Sequence, residues 1–230
     1  MTMIEKNLQI VRDRLAAACR AAGRDNREVS LLAVSKTFGA EAVAEAHAAG
    51  QTAFGENYIQ EAVQKITALR HLNLQWHCIG PIQSNKTRLV AEHFDWVQTV
   101  DRLKTAQRLS EQRPAHLPPL QVCIQVNADG GASKSGVPPQ EALALAQQVA
   151  ALPNLRLRGV MSIPEPTPDF AVSCAVFARV KAVFDAMGEA GLALDTLSMG
   201  MSADLEAAIQ SGSTMVRVGS AIFGARPTIA

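Results

Sequence analysis

Aromatic residues are scarce: they make up 4% of the 230 residues, as seven Phe, two Trp and a single Tyr. A core built from this chain is therefore mainly aliphatic, drawing on a composition that is 48% hydrophobic. The length is enough for that core to be sizeable. Charge of one sign is missing as well. The net formal charge is +1 and no segment forms a basic stripe, so nucleic acid is not an electrostatically favoured partner. The four cysteines, Cys19, Cys78, Cys123 and Cys174, stand far apart with no Cys-x-x-Cys. That argues against a zinc site or a disulfide framework, and the thiols read as small buried groups in a reducing compartment. No apolar run approaches membrane-spanning length. The N-terminus has no secretory-signal pattern, so a cytoplasmic protein without a membrane partner is expected. No Gly-x-Gly-x-x-Gly follows the first strand, which weighs against a dinucleotide fold.

What is present is a repeated unit. Ile4, Leu8, Val11, Leu15, Ala18 and Ala22 recur at helical spacing, with Thr2 and Glu5 placed as a capping box and Gly23 as the stop. Eight apolar runs follow, near Leu31–Val34, Ala53–Gly55, Leu74–Ile79, Trp96–Thr99, Leu120–Val126, Leu157–Met161, Thr196–Met199 and Met215–Val218. Helical patterns near Ala40–Ala49, Tyr58–Leu69, Asn85–His93, Leu103–Gln112, Pro139–Ala151, Phe170–Ala190 and Ala203–Gln210 lie between them. Alternation of this kind means a parallel sheet covered by helices. Eight strands in one compact chain predict an α/β fold, a single (β/α)8 TIM-like barrel over 1–230, with the 1–23 helix packed on it. A doubly wound open sheet is the alternative. No linker divides the chain. Asp169 reads as an N-cap after the proline cluster Pro164–Pro168.

In such a barrel the chemistry collects after the strands. Lys36 closes the first run, where a desolvated amine can condense with a carbonyl. Gly200 and Ser202 follow the seventh strand, and Gly219 and Ser220 the eighth. These are the two loops with which barrels often hold a phosphate. The same residues also read as ordinary caps, with Ser202 as the N-cap of a helix starting near Ala203. Arg217 sits in the last strand among apolar neighbours and needs a partner. A ring nitrogen could serve, and so could a carboxylate such as Glu56 or Asp204. His77 reads as a satisfied core histidine, and Trp76 and Trp96 as packing residues. A lysine amine, a phosphate cradle and an arginine together imply pyridoxal 5′-phosphate (PLP).

The motifs Ala33-Val-Ser-Lys36, Phe54-Gly-Glu-Asn-Tyr58, Trp76-His-Cys-Ile-Gly80, Gln83-Ser-Asn-Lys86, Gln125-Val-Asn127, Lys134-Ser-Gly136, Leu197-Ser-Met-Gly-Met-Ser202 and Val216-Arg-Val-Gly-Ser220 run in order along the chain. With them the sequence resembles the pyridoxal phosphate homeostasis proteins (YggS type), whose barrel is of the alanine racemase N-terminal-domain type without that enzyme's second domain. The resemblance implies that Lys36 is the aldimine lysine and that Ser202, Gly219 and Ser220 hold the phosphate. It further implies that Arg217 faces the pyridine nitrogen, Asn57 reaches the ring side and Met161 packs on the ring. No metal site and no catalytic residue are expected. The implied role is to hold PLP and deliver it to apo PLP-dependent enzymes, as a monomer and without appreciable turnover. A small PLP-dependent racemase is the alternative, and an imine-forming aldolase using Glu56 is a weaker one. Lys134, in the Gly130–Gly136 loop, is a candidate second amine for carrying the aldehyde outward.

Overall fold

The computed structural model describes residues 2–130 and 135–225. The strands β1 (Ser30–Val34), β2 (Ala53–Glu56), β3 (Gln75–Cys78), β4 (Trp96–Val100), β5 (Leu120–Gln125), β6 (Leu155–Met161), β7 (Thr196–Ser198) and β8 (Met215–Val218) pair in parallel in sequence order. β8 returns to β1, with Leu32 opposite Arg217 and Ala33 opposite Val218, and closes the barrel. Closure leaves no strand edge unpaired. The helices are α1 (Met3–Ala21), α2 (Ala40–Ala48), α3 (Ile59–Ala68), α4 (Thr87–His93), α5 (Leu103–Gln112), α6 (Pro139–Ala150), α7 (Phe170–Glu189), α8 (Leu205–Gln210) and α9 (Ser220–Phe223).

The expected (β/α)8 architecture is thus the observed one. The strand Met215–Val218 and the helix Leu103–Gln112 have the bounds read from the sequence. Most other ends move by a residue or two, the usual uncertainty of fraying ends. α1 carries the expected capping box, with Glu5 N donating to Thr2 Oγ1 at 3.2 Å and Thr2 N to Glu5 Oε2 at 3.1 Å. Gly23, at φ +66°, supplies the left-handed residue that ends it. Asp169 caps α7 by accepting from Val172 N at 3.0 Å.

One helix start differs. The helix expected from Ala203 begins at Leu205, and Asp204 rather than Ser202 holds the N-cap position. The Asp204 carboxylate accepts from Met201 N at 2.6 Å, which tightens the β7–α8 loop and keeps Ser202 outside the helix.

The core has two compartments. The larger is aliphatic and lies between the sheet and the helices, where Val43, Ala62, Val90, Leu109, Ala146 and Phe177 are buried. The smaller fills the barrel interior, with Leu32, Val34, Ile79 and Met215 in one cluster and Trp96, Cys123 and Met161 in another. Cys78 and Cys123 are completely buried. A bulge falls in β6, where Val122 pairs with Leu157 but Cys123 pairs with Gly159. At Gly159 a Cβ would lie 1.7 Å from the Thr196 carbonyl oxygen, so β7 can approach this strand only because the residue is glycine. No helix among the described residues is long and apolar enough to cross a membrane.

Candidate functional site

β1 delivers Lys36 to the C-terminal rim of the barrel, where it lines a cavity of about 280 Å³. Ser202, Arg217, Gly219 and Ser220 line the same cavity, joined by Val34, Phe38 and Met201. Five of the seven residues singled out from the sequence therefore converge. Asn57 lines a separate cavity of about 210 Å³ with Ile79, Thr99 and Gln125, and its Oδ1 is buried without a hydrogen-bond partner among the described residues. Met161 is fully buried in the barrel interior, where it packs with Trp96, Cys123 and Ile163, and it lines neither cavity. Lys134 lies outside the described residues.

The backbone around Lys36 is held from behind. Ser35 N donates to Gly55 O at 3.0 Å, which continues the β1–β2 ladder. Ser35 Oγ donates to Glu56 Oε1 at 2.6 Å. Lys65 Nζ reaches from α3 and donates to Ser35 O and Glu56 Oε1, each at 2.8 Å, and pairs with Glu61 at 2.6 Å. Glu61 Oε1 in turn accepts from Thr37 N at 2.8 Å. Thr37 has φ +70°, a strained conformation for a β-branched residue that persists only where its surroundings impose it. Both chain neighbours of Lys36 are thus fixed by one buried charged cluster. Burial holds the Glu56 carboxyl above the usual carboxylate range, an effect that Lys65 and Ser35 offset only in part.

This cluster corrects one expectation. Glu56 does not pair with Arg217. It faces α3, where its Oε1 is engaged by Lys65 and Ser35 while its Oε2 is buried with no hydrogen-bond partner among the described residues. The i,i+4 spacing of Glu61 and Lys65 carries no sign of burial, and in the structure Lys65 is 5% exposed.

Arg217 is 3% exposed, at the inner wall of the site. One arm donates to Ser198 Oγ at 2.7 Å and another to Ser162 O at 2.8 Å. Both acceptors are neutral, and no ion pair to Arg217 is formed among the described residues. Burial lowers its pKa to about 10, opposed by the field of Asp204, so the guanidinium stays charged at neutral pH. A buried cation on a cavity wall without a counter-ion suits a ligand that brings an acceptor or negative charge.

The phosphate-loop candidates are built for close approach. Gly200 has φ +98°, and a Cβ there would lie 2.4 Å from Ala208 Cβ, so the loop can sit on α8 only with glycine. The hydroxyls of Ser202 and Ser220 make no hydrogen bond to other described residues and remain available to a ligand. α1 braces both loops: Arg14 Nη1 donates to Ser202 O at 2.8 Å, its Nε and Nη2 grip Glu206 of α8 at 2.6 and 2.7 Å, and Asn7 Nδ2 donates to Ile222 O at 2.9 Å.

A closed parallel barrel with a lysine at the end of β1 and an arginine on β8 defines a class, the alanine racemase N-terminal-domain barrels, and that family matches residues 6–227. Within this class the chain belongs to the pyridoxal phosphate homeostasis protein family. It is 61% identical to the pyridoxal phosphate homeostasis protein of Pseudomonas aeruginosa over 226 residues, which cover 98% of this chain and 97% of the relative. Among solved structures, PipY of Synechococcus elongatus with PLP bound superposes with a TM-score of 0.83 at 35% identity, covering 96% of this chain and all of PipY. An alanine racemase of Clostridium difficile shares the fold at a TM-score of 0.73 and 17% identity, and the match covers 97% of this chain but 58% of the racemase.

Proposed function

We propose that this protein binds PLP at Lys36 and serves in intracellular vitamin B6 homeostasis, holding the cofactor and handing it to apo-enzymes without appreciable turnover of its own. The observation that carries the reading is the buried, charged Arg217, which shares one cavity with Lys36 and lacks an ion-pair partner among the described residues.

The residues present fit the group. Lys36 supplies an amine for the aldehyde, with its backbone fixed on both sides. Ser202, Gly219 and Ser220 offer hydroxyls and accessible backbone for the phosphate. Arg217 offers donors for the pyridine nitrogen, and Asn57, in the neighbouring cavity, has an acceptor unpaired among the described residues. When bound, PLP supplies a reactive aldehyde and an electron-withdrawing ring.

Two features favour holding over turnover. A guanidinium opposite the ring nitrogen disfavours its protonation and so weakens the ring as an electron sink. Among the described lining residues, Lys36 and Arg217 are the titratable ones, so the cavity provides one amine and no second acid or base for two-face proton transfer.

The decisive measurement is the absorbance spectrum with PLP, before and after borohydride, followed by peptide mapping. A visible band that borohydride abolishes, with the label on the Lys36 peptide and no band in Lys36→Ala, is the expected result. A label mainly on another lysine overturns the assignment. Steady alanine racemisation by the pure protein, lost in Lys36→Ala, replaces the carrier reading with the racemase.

A further inference from the structure

A continuous line of hydrogen bonds crosses the barrel interior beneath Arg217. Arg217 Nη1 donates to Ser198 Oγ of β7 at 2.7 Å, and Ser198 Oγ lies 2.6 Å from Gln98 Oε1 of β4. Gln98 Nε2 lies 2.9 Å from His77 Nδ1 of β3, and His77 Nε2 lies 2.9 Å from Gln75 Oε1. Ser198, Gln98 and His77 are completely buried. Gln75 is exposed and lines a cavity of about 590 Å³ at the opposite, N-terminal mouth of the barrel.

The Arg217 donors and the placement of the Gln98 and Gln75 amides set the direction of the links. A guanidinium only donates, so Ser198 Oγ must accept from Arg217, and its single proton goes to Gln98 Oε1. The Gln98 amide is placed to match, with its oxygen toward Ser198. Its amino group faces His77 Nδ1 and also Met215 Sδ at 3.2 Å, and both of those atoms accept. His77 Nδ1 is then unprotonated, the ring proton sits on Nε2, and it donates to Gln75. A protonated His77 would turn an N–H toward the Gln98 amino group and break the line. Burial acts the same way on the ring, assisted by the charge of Arg158.

We propose that Ser198, Gln98 and His77 are positioning residues for Arg217, setting the tilt and depth at which its guanidinium meets the pyridine nitrogen of bound PLP. The proposal rests on the reading of Arg217 as the ring-nitrogen partner. The Ser162 carbonyl anchors one arm of the fork and Ser198 the other, and two anchors define a plane where one leaves the fork free to swing. The line explains why an aliphatic interior spends a histidine, a glutamine and a serine on fully buried positions, with each polar group satisfied.

The test uses Gln98→Leu, Ser198→Ala and Ser198→Thr, with Arg217→Met as reference. In the PLP-free wild type, histidine nitrogen-15 NMR should find His77 as the Nε2–H tautomer. Gln98→Leu and Ser198→Ala should lower PLP affinity about threefold to tenfold, the scale of one lost hydrogen bond. They should also move the visible maximum toward that of Arg217→Met, with the affinity ratio of PLP to pyridoxal unchanged because the phosphate loops are intact. Ser198→Thr, which keeps the hydroxyl, should restore both. Should Gln98→Leu fail to fold, the single-atom deletion in Ser198→Ala carries the measurement. Wild-type affinity and spectrum in folded Ser198→Ala, or a His77 Nδ1–H tautomer in the wild type, overturns the proposal. If Arg217→Met shifts the spectrum and the other variants do not, the positioning line fails and the Arg217 reading stands. If Arg217→Met itself changes nothing, that reading fails and takes the proposal with it.

Discussion

His77 shows how a single buried side chain couples the interior to pH. Burial pushes its ring from the ordinary 6.5 down to about 3. Between those values the unfolded chain binds a proton that the folded chain refuses. Stability from this residue is therefore complete above the ordinary histidine value and is lost as pH falls toward the folded one. The slope approaches about 1.4 kcal/mol per pH unit. Urea unfolding across that window should show the slope in wild type and its absence in His77→Asn, which is less stable at neutral pH but flatter in acid. A wild-type curve as flat as the variant's would mean that the ring is protonated in the folded state. At this scale the sequence was legible where a residue's chemistry is out of place. A lysine closing an apolar run and an arginine inside one announce themselves, and His77 was recognisable as a core histidine. It was opaque where ordinary residues act through their partners. Gln98 and Ser198 were not singled out, because a strand with both faces covered carries no alternation to say which face is the barrel interior. Lys65 and Glu61 were not singled out, because i,i+4 spacing carries no sign of burial, so the hold on Thr37 and Ser35 was invisible.

Among the elements, α1 is an addition to the (β/α)8 plan with a definite job. It packs across α8 and α9 and ties down the loops that carry Ser202 and Ser220. Its two kinds of contact should separate in experiment. Leu8 is completely buried, and Leu8→Ala should cost about 2–5 kcal/mol of stability. Arg14 and Glu206 are each more than a third exposed, so their pair adds at most about 1 kcal/mol. Arg14→Ala should therefore leave the unfolding midpoint nearly unchanged while weakening PLP binding, because the Ser202 carbonyl loses its brace. Unchanged PLP affinity in Arg14→Ala would reduce the bond to surface decoration. The elements themselves were largely legible, since eight apolar runs alternating with helical spacing leave few topologies open. The misplaced start of α8 has a local cause. Ser202 and Asp204 are both residue types that favour a cap, and the N-cap position fell to Asp204, whose carboxylate closes the turn onto Met201 N and makes no bond to the helix amides.

At the scale of the molecule, β1 and β8 form the seam that closes the barrel, and the two ends of the proposed cofactor site lie on either side of it, Lys36 after β1 and Arg217 on β8. A ligand gripping both should stabilise the whole fold. PLP at 100 times its Kd should add about 2.7 kcal/mol, read as a rise in the thermal midpoint that grows with PLP concentration and largely disappears in Lys36→Ala. An equal rise in that variant would show that the stabilising site lies elsewhere. The buried thiols of Cys78 and Cys123, pushed up to about 12 by their surroundings, give the closed barrel a built-in clock. Alkylating reagents attack the thiolate, which at neutral pH is roughly one part in 10⁵ of a thiol with such a pKa, and neither sulfur is reachable from solvent. Their modification therefore waits for local opening, of the sheet–helix layer around Cys78 and of the barrel interior around Cys123, and the time course of labelling at each cysteine reports the opening of its own compartment.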